Sequence, residues 1–283
     1  PQILHVNNEY IDATKRLYDT QVKQVKKFDK ETNIAINNWI KEETRSLLNP
    51  KLVIPSSTQL VIINTLYADG RWSSPFRDTK QAEFHSLGEQ TTIIDFMDKT
   101  FDIDGHEDDP VAYAKGNGWQ RVDIAFDNGG CMKIPLPDDN MQFRRLRAKA
   151  PKLREAFNAS PTVRKDAIIR VQLPKFDIDG FFGDEMIQTL ESMGITDAFN
   201  QRKADFSALS DAPLFISKIL QGTHIEVAEE GAKAAAYTAI MMEPSCSAPR
   251  PVERIDFIVD HPFLFELDSP DGLPLFIGSV TKL

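Results

Sequence analysis

Cysteine is nearly absent. The chain has two, Cys131 and Cys246, too far apart to outline a disulfide framework or a metal-ligand spacing. This leaves the compartment open, since large secreted domains often need no disulfide. Long apolar runs are missing, so no segment reads as a membrane-spanning helix. No secretory leader is visible, and the chain opens at Pro1 without a methionine. Positive charge is in deficit: 33 Lys and Arg against 42 Asp and Glu give −9 at pH 7. That balance argues against a general nucleic-acid binder, which needs a cationic face to neutralise phosphates. Enzyme signatures are missing too: no G-x-S-x-G elbow, no Walker loop, no G-x-G-x-x-G and no H-E-x-x-H. The five histidines, His5, His85, His106, His224 and His261, are scattered. The acidic run Asp102–Asp109 lacks the ligand register of an EF-hand and reads as a solvated turn. No catalytic residue, metal or cofactor is expected.

What is present suits a folded α+β domain. Composition is ordinary, 41% hydrophobic and 27% charged, and 283 residues can bury a large core. Apolar residues at three- and four-residue spacing predict helices over Tyr10–Tyr18 and Ile34–Leu48, the second stopped by Asn49-Pro50. Strands are expected at 60–63, 83–85, 92–94, 122–126, 132–134 and 168–173. Helices follow at 141–158 and 184–193, and strands resume to the C-terminus. Leu60-Val61-Ile62-Ile63 is apolar throughout, as expected for a strand covered on both faces. With no repeat and no linker, one mixed domain with more than one sheet is the economical reading. Cys131 reads as a small buried hydrophobe and Cys246 as the more exposed thiol. Arg144, Arg145, Arg147, Lys149, Lys152 and Arg154 form a run without an acid. It reads first as a solvated helix face and second as a dock for a polyanion such as a glycosaminoglycan.

Glu229-Glu230-Gly231-Ala232-Lys233-Ala234-Ala235-Ala236-Tyr237-Thr238-Ala239 is the most informative stretch. Propensity alone makes it a helix start. Yet strand-like runs precede it, no capping residue separates them, and Pro244, Pro249 and Pro251 follow. Drawn out as a strand, it places Ala232, Ala234, Ala236 and Thr238 on one face. Three methyls and a small hydroxyl can enter an existing sheet with little steric resistance, so the segment suits a change of state.

Several segments, in order, resemble the serpin family. Ile36-Asn37-Asn38-Trp39-Ile40 with Thr44 is similar to its IN-x-W-V helix. Asn64-Thr65-Leu66-Tyr67-Ala68-Asp69-Gly70-Arg71-Trp72 with Pro75-Phe76 is similar to its N-A-x-Y-F-K-G-x-W-x-x-P-F. Phe84-His85, Phe96-Met97, Leu173-Pro174-Lys175-Phe176, Met193-Gly194-Ile195, Ala204-Asp205-Phe206-Ser207 and Glu229-Glu230-Gly231 follow. His261-Pro262-Phe263 and Phe276-Ile277-Gly278 close the series, which spans essentially the whole chain.

The resemblance implies a serpin fold over 1–283, with a large central sheet, smaller sheets, helices and an exposed reactive-centre loop at 231–251. It implies an irreversible serine protease inhibitor in which the cut loop inserts into the large sheet and traps the acyl-enzyme. Glu229, Glu230, Gly231, Ala232, Ala234, Ala235, Ala236 and Thr238 would form the hinge. Trp72 and Lys175 would mark the breach where insertion starts, with Lys175 paired to Glu229. Asn64, matching a buried asparagine, and Gln221, where the family usually has histidine, would form the shutter. The usual hinge length puts the scissile bond at Ser245-Cys246, with Cys246-Ser247 second; their small residues suit an elastase-like protease, with chymotrypsin- or subtilisin-like enzymes as alternatives. An extracellular or cell-surface location is expected. The alternative is a non-inhibitory binding or chaperone-like protein, or an inactive fragment. Serpins usually begin well upstream, with helices and a strand behind the large sheet, so the chain is expected to be N-terminally incomplete and to expose apolar surface there.

Overall fold

Helices come first and strands follow, as the sequence texture predicts, in the computed structural model. It describes residues 6–67, 70–88, 90–106, 109–163, 166–232 and 252–283. Two units are distinguished, 1–67 with 178–225 and 68–177 with 226–283; elements are numbered along the whole chain.

The first unit contains α1 (Asn8–Tyr18), α2 (Lys30–Glu43), β1 (Leu60–Tyr67), α5 (Asp184–Ser192) and most of β9 (Phe176–Phe182) and β10 (Ile216–Val227). Asp29 caps α2 by accepting from the Thr32 N–H. The helix ends before the expected Leu48. Buried Thr44 donates its hydroxyl to the Ile40 carbonyl and accepts the Leu48 N–H, while Arg45 and Ser46 take left-handed backbone angles. Beyond this turn the chain runs extended, and two asparagines of α2 hold it. Asn33 exchanges hydrogen bonds with both backbone groups of Ile54, at 2.7 and 3.2 Å. Asn37, one turn on, does the same with Leu52 at 2.9 and 3.0 Å.

The sheet of this unit has the order β1-β10-β9, and β1 runs parallel to β10 with Asn64 opposite Gln221. The strand-like runs that precede Glu229 are one strand here. Gly222 hides the continuity, because a Cβ there would lie 2.9 Å from Leu48 Cδ1. The expectation that β1 is covered on both faces fails: Ile62 is 43% exposed. An apolar run marks a strand without fixing how many of its faces are covered.

The second unit is built on two larger sheets and a short ribbon. One sheet has the order β12-β8-β4-β3, from β3 (Asp78–His85), β4 (Thr91–Ile103), β8 (Ala167–Pro174) and β12 (Glu253–Ile258). The other has the order β14-β13-β7-β6-β5, from β5 (Val111–Gly116), β6 (Trp119–Ala125), β7 (Cys131–Pro137), β13 (Phe263–Asp268) and β14 (Pro274–Val280). The ribbon pairs β2 (Gly70–Arg71) with β11 (Gly231–Ala232). Phe84, Phe96, Ile124, Met132, Val171, Leu173 and Phe263 are buried core residues of this unit.

The helical middle is two helices, α3 (Asn140–Ala148) and α4 (Ala150–Asn158), parted at extended Lys149 because Pro151 opens a new helix. Phe143, Leu146, Ala156 and Phe157 cluster with Ala114, Trp119 and Leu264. Arg121 reaches the Ala156 and Ala159 carbonyls and pairs with Asp123. Asp98 is held by Lys80, Arg170 and Gln172. Its hydrogen bond from Arg170, aided by the other two against the cost of burial, brings its carboxyl down to about 2.

Candidate functional site

Ala228 through Gly231 form a tight turn directly after β10, closed by reciprocal 3.1 Å bonds between the backbones of Ala228 and Gly231. The segment 72–76 receives this turn carbonyl by carbonyl. The Trp72 indole N–H donates to Ala228 O at 2.9 Å. The Phe76 and Trp72 backbone N–H groups donate to Glu229 O and Glu230 O at 2.9 and 3.0 Å. Buried Trp72 is in turn stacked on Phe126 at 5.0 Å and meets Phe76 edge-on at 6.1 Å. Lys99 ties the same segment by donating to Ser74 Oγ and Pro75 O. Burial, with Arg77 nearby, brings the Lys99 amine down to about 8.

The Glu229 side chain is fixed as well. Its Oε1 accepts from Lys175 Nζ at 2.9 Å and from the Thr79 hydroxyl at 2.8 Å. Lys175 stands at the junction of β8 and β9, and Asp95 lies 3.7 Å from its ammonium. The Lys175 hydrogen bond holds the Glu229 carboxyl below its ordinary range, against partial burial, with help from Thr79. Glu229 in turn raises the Lys175 pKa.

Gly231 is required where the chain enters β11. Its φ is +136°, and a Cβ would lie 2.1 Å from Gly70 O and 2.7 Å from Arg71 Cα. The antiparallel register then sets Gly231 against Arg71 and Ala232 against Gly70. Trp72, Lys175, Glu229, Glu230, Gly231 and Ala232 thus lie in one small network. Ala234, Ala235, Ala236, Thr238 and the bonds Ser245-Cys246 and Cys246-Ser247 lie outside the described residues.

Asn64 and Gln221 stand opposite each other across β1 and β10. Asn64 is exposed and not buried, because it shares the open face of β1 with Ile62. Cys131 is half-buried rather than enclosed. Burial, then Asp123 and Asp268, pushes its thiol up to about 11, which leaves it unreactive at neutral pH. Sequence reading missed Thr79, Gly70 and the Phe76 N–H as partners of the turn. Only the W-x-x-P-F pattern hinted at the last, and Thr79 carries no local signal.

The family model described as serpin (serine protease inhibitor) matches residues 2–283. "Iris" of Ixodes ricinus is 32% identical over all of this chain and 74% of its own length. Leukocyte elastase inhibitor of Bos taurus is 29% identical over 97% of this chain and 73% of its own. Among solved structures, Serpin48 of Tenebrio molitor superposes with a TM-score of 0.81 at 27% identity, covering 99% of this chain and 72% of that one. The thermophilic serpin Tengpin, in its native state, gives a TM-score of 0.80 at 25% identity over 100% and 71% of the two chains. Matched across nearly its whole length, the chain belongs to the serpin family of serine protease inhibitors.

Proposed function

We propose that this chain inhibits an elastase-like serine protease by irreversible trapping and does not itself act as a catalyst. The observation that carries the reading is the direct parallel pairing of β1 with β10, followed at once by a tight turn into a small-residue segment. Chain returning from β10 through such a turn runs antiparallel to β10 and therefore to β1. Inserted between them, it would exchange one parallel ladder for two antiparallel ones. Ala232, Ala234, Ala236 and Thr238 would be buried on insertion and offer almost no polar surface to desolvate. In this reading Trp72, Lys175 and Glu229 are the breach, Asn64 and Gln221 the shutter, and 231–251 the reactive-centre loop. Ser245-Cys246, with Cys246-Ser247 second, offers the small side chains that a shallow elastase pocket accepts. A leukocyte elastase inhibitor among the relatives supports that preference.

Mixing with pancreatic and neutrophil elastase should give a complex that survives SDS, and mass spectrometry should place the cut at one of those two bonds. If every elastase-, chymotrypsin- and subtilisin-like enzyme tried cleaves the loop without a stable complex, the chain is a substrate and the inhibitory reading fails.

A further inference from the structure

Between β12 and β13 the chain holds a histidine against two acceptors. His261 Nδ1 lies 2.7 Å from Asp260 Oδ1, and its Nε2 lies 2.6 Å from the Pro137 carbonyl oxygen. A carboxylate and a carbonyl can only accept, so both ring nitrogens must carry hydrogen. Neutral imidazole has a single N–H, and turning the ring over would set C–H groups against both oxygens. The geometry is that of an imidazolium, and the side chain is mostly buried, at 23% exposed. The surroundings give its proton a structural consequence. The backbone of the connection is fastened to the sheet of β3 and β8: the His85 N–H donates to Asp260 O at 2.7 Å and the Val259 N–H to Gln172 O at 2.9 Å. The His261 ring reaches the other sheet, at Pro137, the last residue of β7. The ladder between β7 and β13 runs from Lys133–Glu266 to Cys131–Asp268, so this bond joins the two strands beyond it.

We propose that His261 is a proton-held clasp: as imidazolium it ties the β12–β13 connection to the end of β7, and loss of its proton opens that tie. Deprotonation would turn one N–H into a lone pair facing an oxygen at the same short distance, so one of the two contacts must become repulsive. The charged and titratable groups facing the ring are Asp260 beside it, Asp138 just past β7 and, across Asp260, His85 at the end of β3. Burial works against the charged ring, but the bonds to Asp260 and Pro137 and the charges of Asp260 and Asp138 outweigh it and raise the His261 pKa. The hydrogen bond from His261, against the cost of burial, lowers that of Asp260. His261 is raised, so its contribution is whole below the ordinary 6.5 and is lost as pH rises through the folded value. Asp260 is lowered, so its contribution is whole above the ordinary 3.8 and is lost as pH falls through the folded value. The clasp is therefore closed across the mildly acidic range and opens on the alkaline side of 6.5. It does not depend on the inhibitory reading.

The test combines ring-nitrogen NMR with urea unfolding of the intact chain from about pH 6 to about pH 9. Both nitrogens of His261 should be protonated at the acid end, and one proton should leave only above the ordinary 6.5. The wild type should lose stability relative to His261→Gln as pH rises, because the amide does not titrate and donates to one acceptor throughout. His85→Gln should keep that loss. Asp260→Asn, which removes the anionic acceptor, should bring the His261 midpoint down, and it serves if His261→Gln does not fold. A neutral His261 ring at the acid end, a difference between wild type and His261→Gln that stays flat with pH, a loss that disappears with His85→Gln, or a midpoint unmoved by Asp260→Asn would each overturn the proposal.

Discussion

Glu229 does two jobs with one residue: its carbonyl accepts the Phe76 N–H and its carboxylate accepts from Lys175 and Thr79. The ion pair is about one-third exposed on both sides, at 31% for Lys175 and 33% for Glu229. Water therefore screens it, and a coupling of about 0.5–1 kcal/mol is expected from a double-mutant cycle of Lys175→Met and Glu229→Gln. The sign with pH follows from the two shifts. Glu229 is depressed, so its contribution is whole above the ordinary 4.5 and is lost as pH falls through the lower folded value. Lys175 is raised, so its contribution is whole below the ordinary 10.5 and is lost as pH rises through the folded value. Coupling measured by urea unfolding should thus be flat near neutrality and fade at both extremes. Coupling of zero at pH 7 would show that the contact holds nothing in place.

At the scale of the element, α2 works as a clamp for extended chain. Asn33 and Asn37 lie one turn apart, and each satisfies both backbone groups of alternate residues, Ile54 and Leu52. Their amides thus imitate a neighbouring strand for chain that has no sheet partner at these residues. Asn37→Ala should cost about 2–3 kcal/mol by orphaning two backbone groups. It should also speed hydrogen exchange at the Leu52 amide well beyond that at other amides; unchanged protection there would mean that the clamp is idle. Asn37 was legible in the sequence only through the IN-x-W resemblance, and Asn33 was not legible at all. Periodicity located α1, α2, α5 and most strands, because burial repeats along each element and needs no partner to be seen. It missed the end of α2 at Thr44, the break at Lys149, the strands β5 and β9 and the open face of β1. Each of these depends on what packs alongside, as does the meeting of Glu229 with Thr79, which lies far upstream.

For the whole chain, the decisive question is whether the state described by β1 beside β10 is the most stable one the sequence can reach. Pairing β1, eight residues long, with β10 uses one edge of each strand in a slanted parallel ladder. A strand placed between them would keep both edges in use and add its own two edges to the sheet. The turn at Ala228–Gly231 already reverses the chain, so insertion would need the 72–76 carbonyl contacts to release and no change in topology. On the proposed reading the uncut chain is held back by its own continuity, because the segment after the loop is committed to β12 of a different sheet. Cutting anywhere near Ser245 removes that tether. Thermal unfolding of the nicked protein should therefore occur at least about 10 °C higher, the shift that several kcal/mol of net pairing gives a chain of this size. Replacing Ala234 by Arg should abolish the gain, because insertion would bury that charged side chain. A nicked wild-type chain that melts where the intact one does would instead mark a serpin fold whose sheet never opens, and would assign the chain to its non-inhibitory branch.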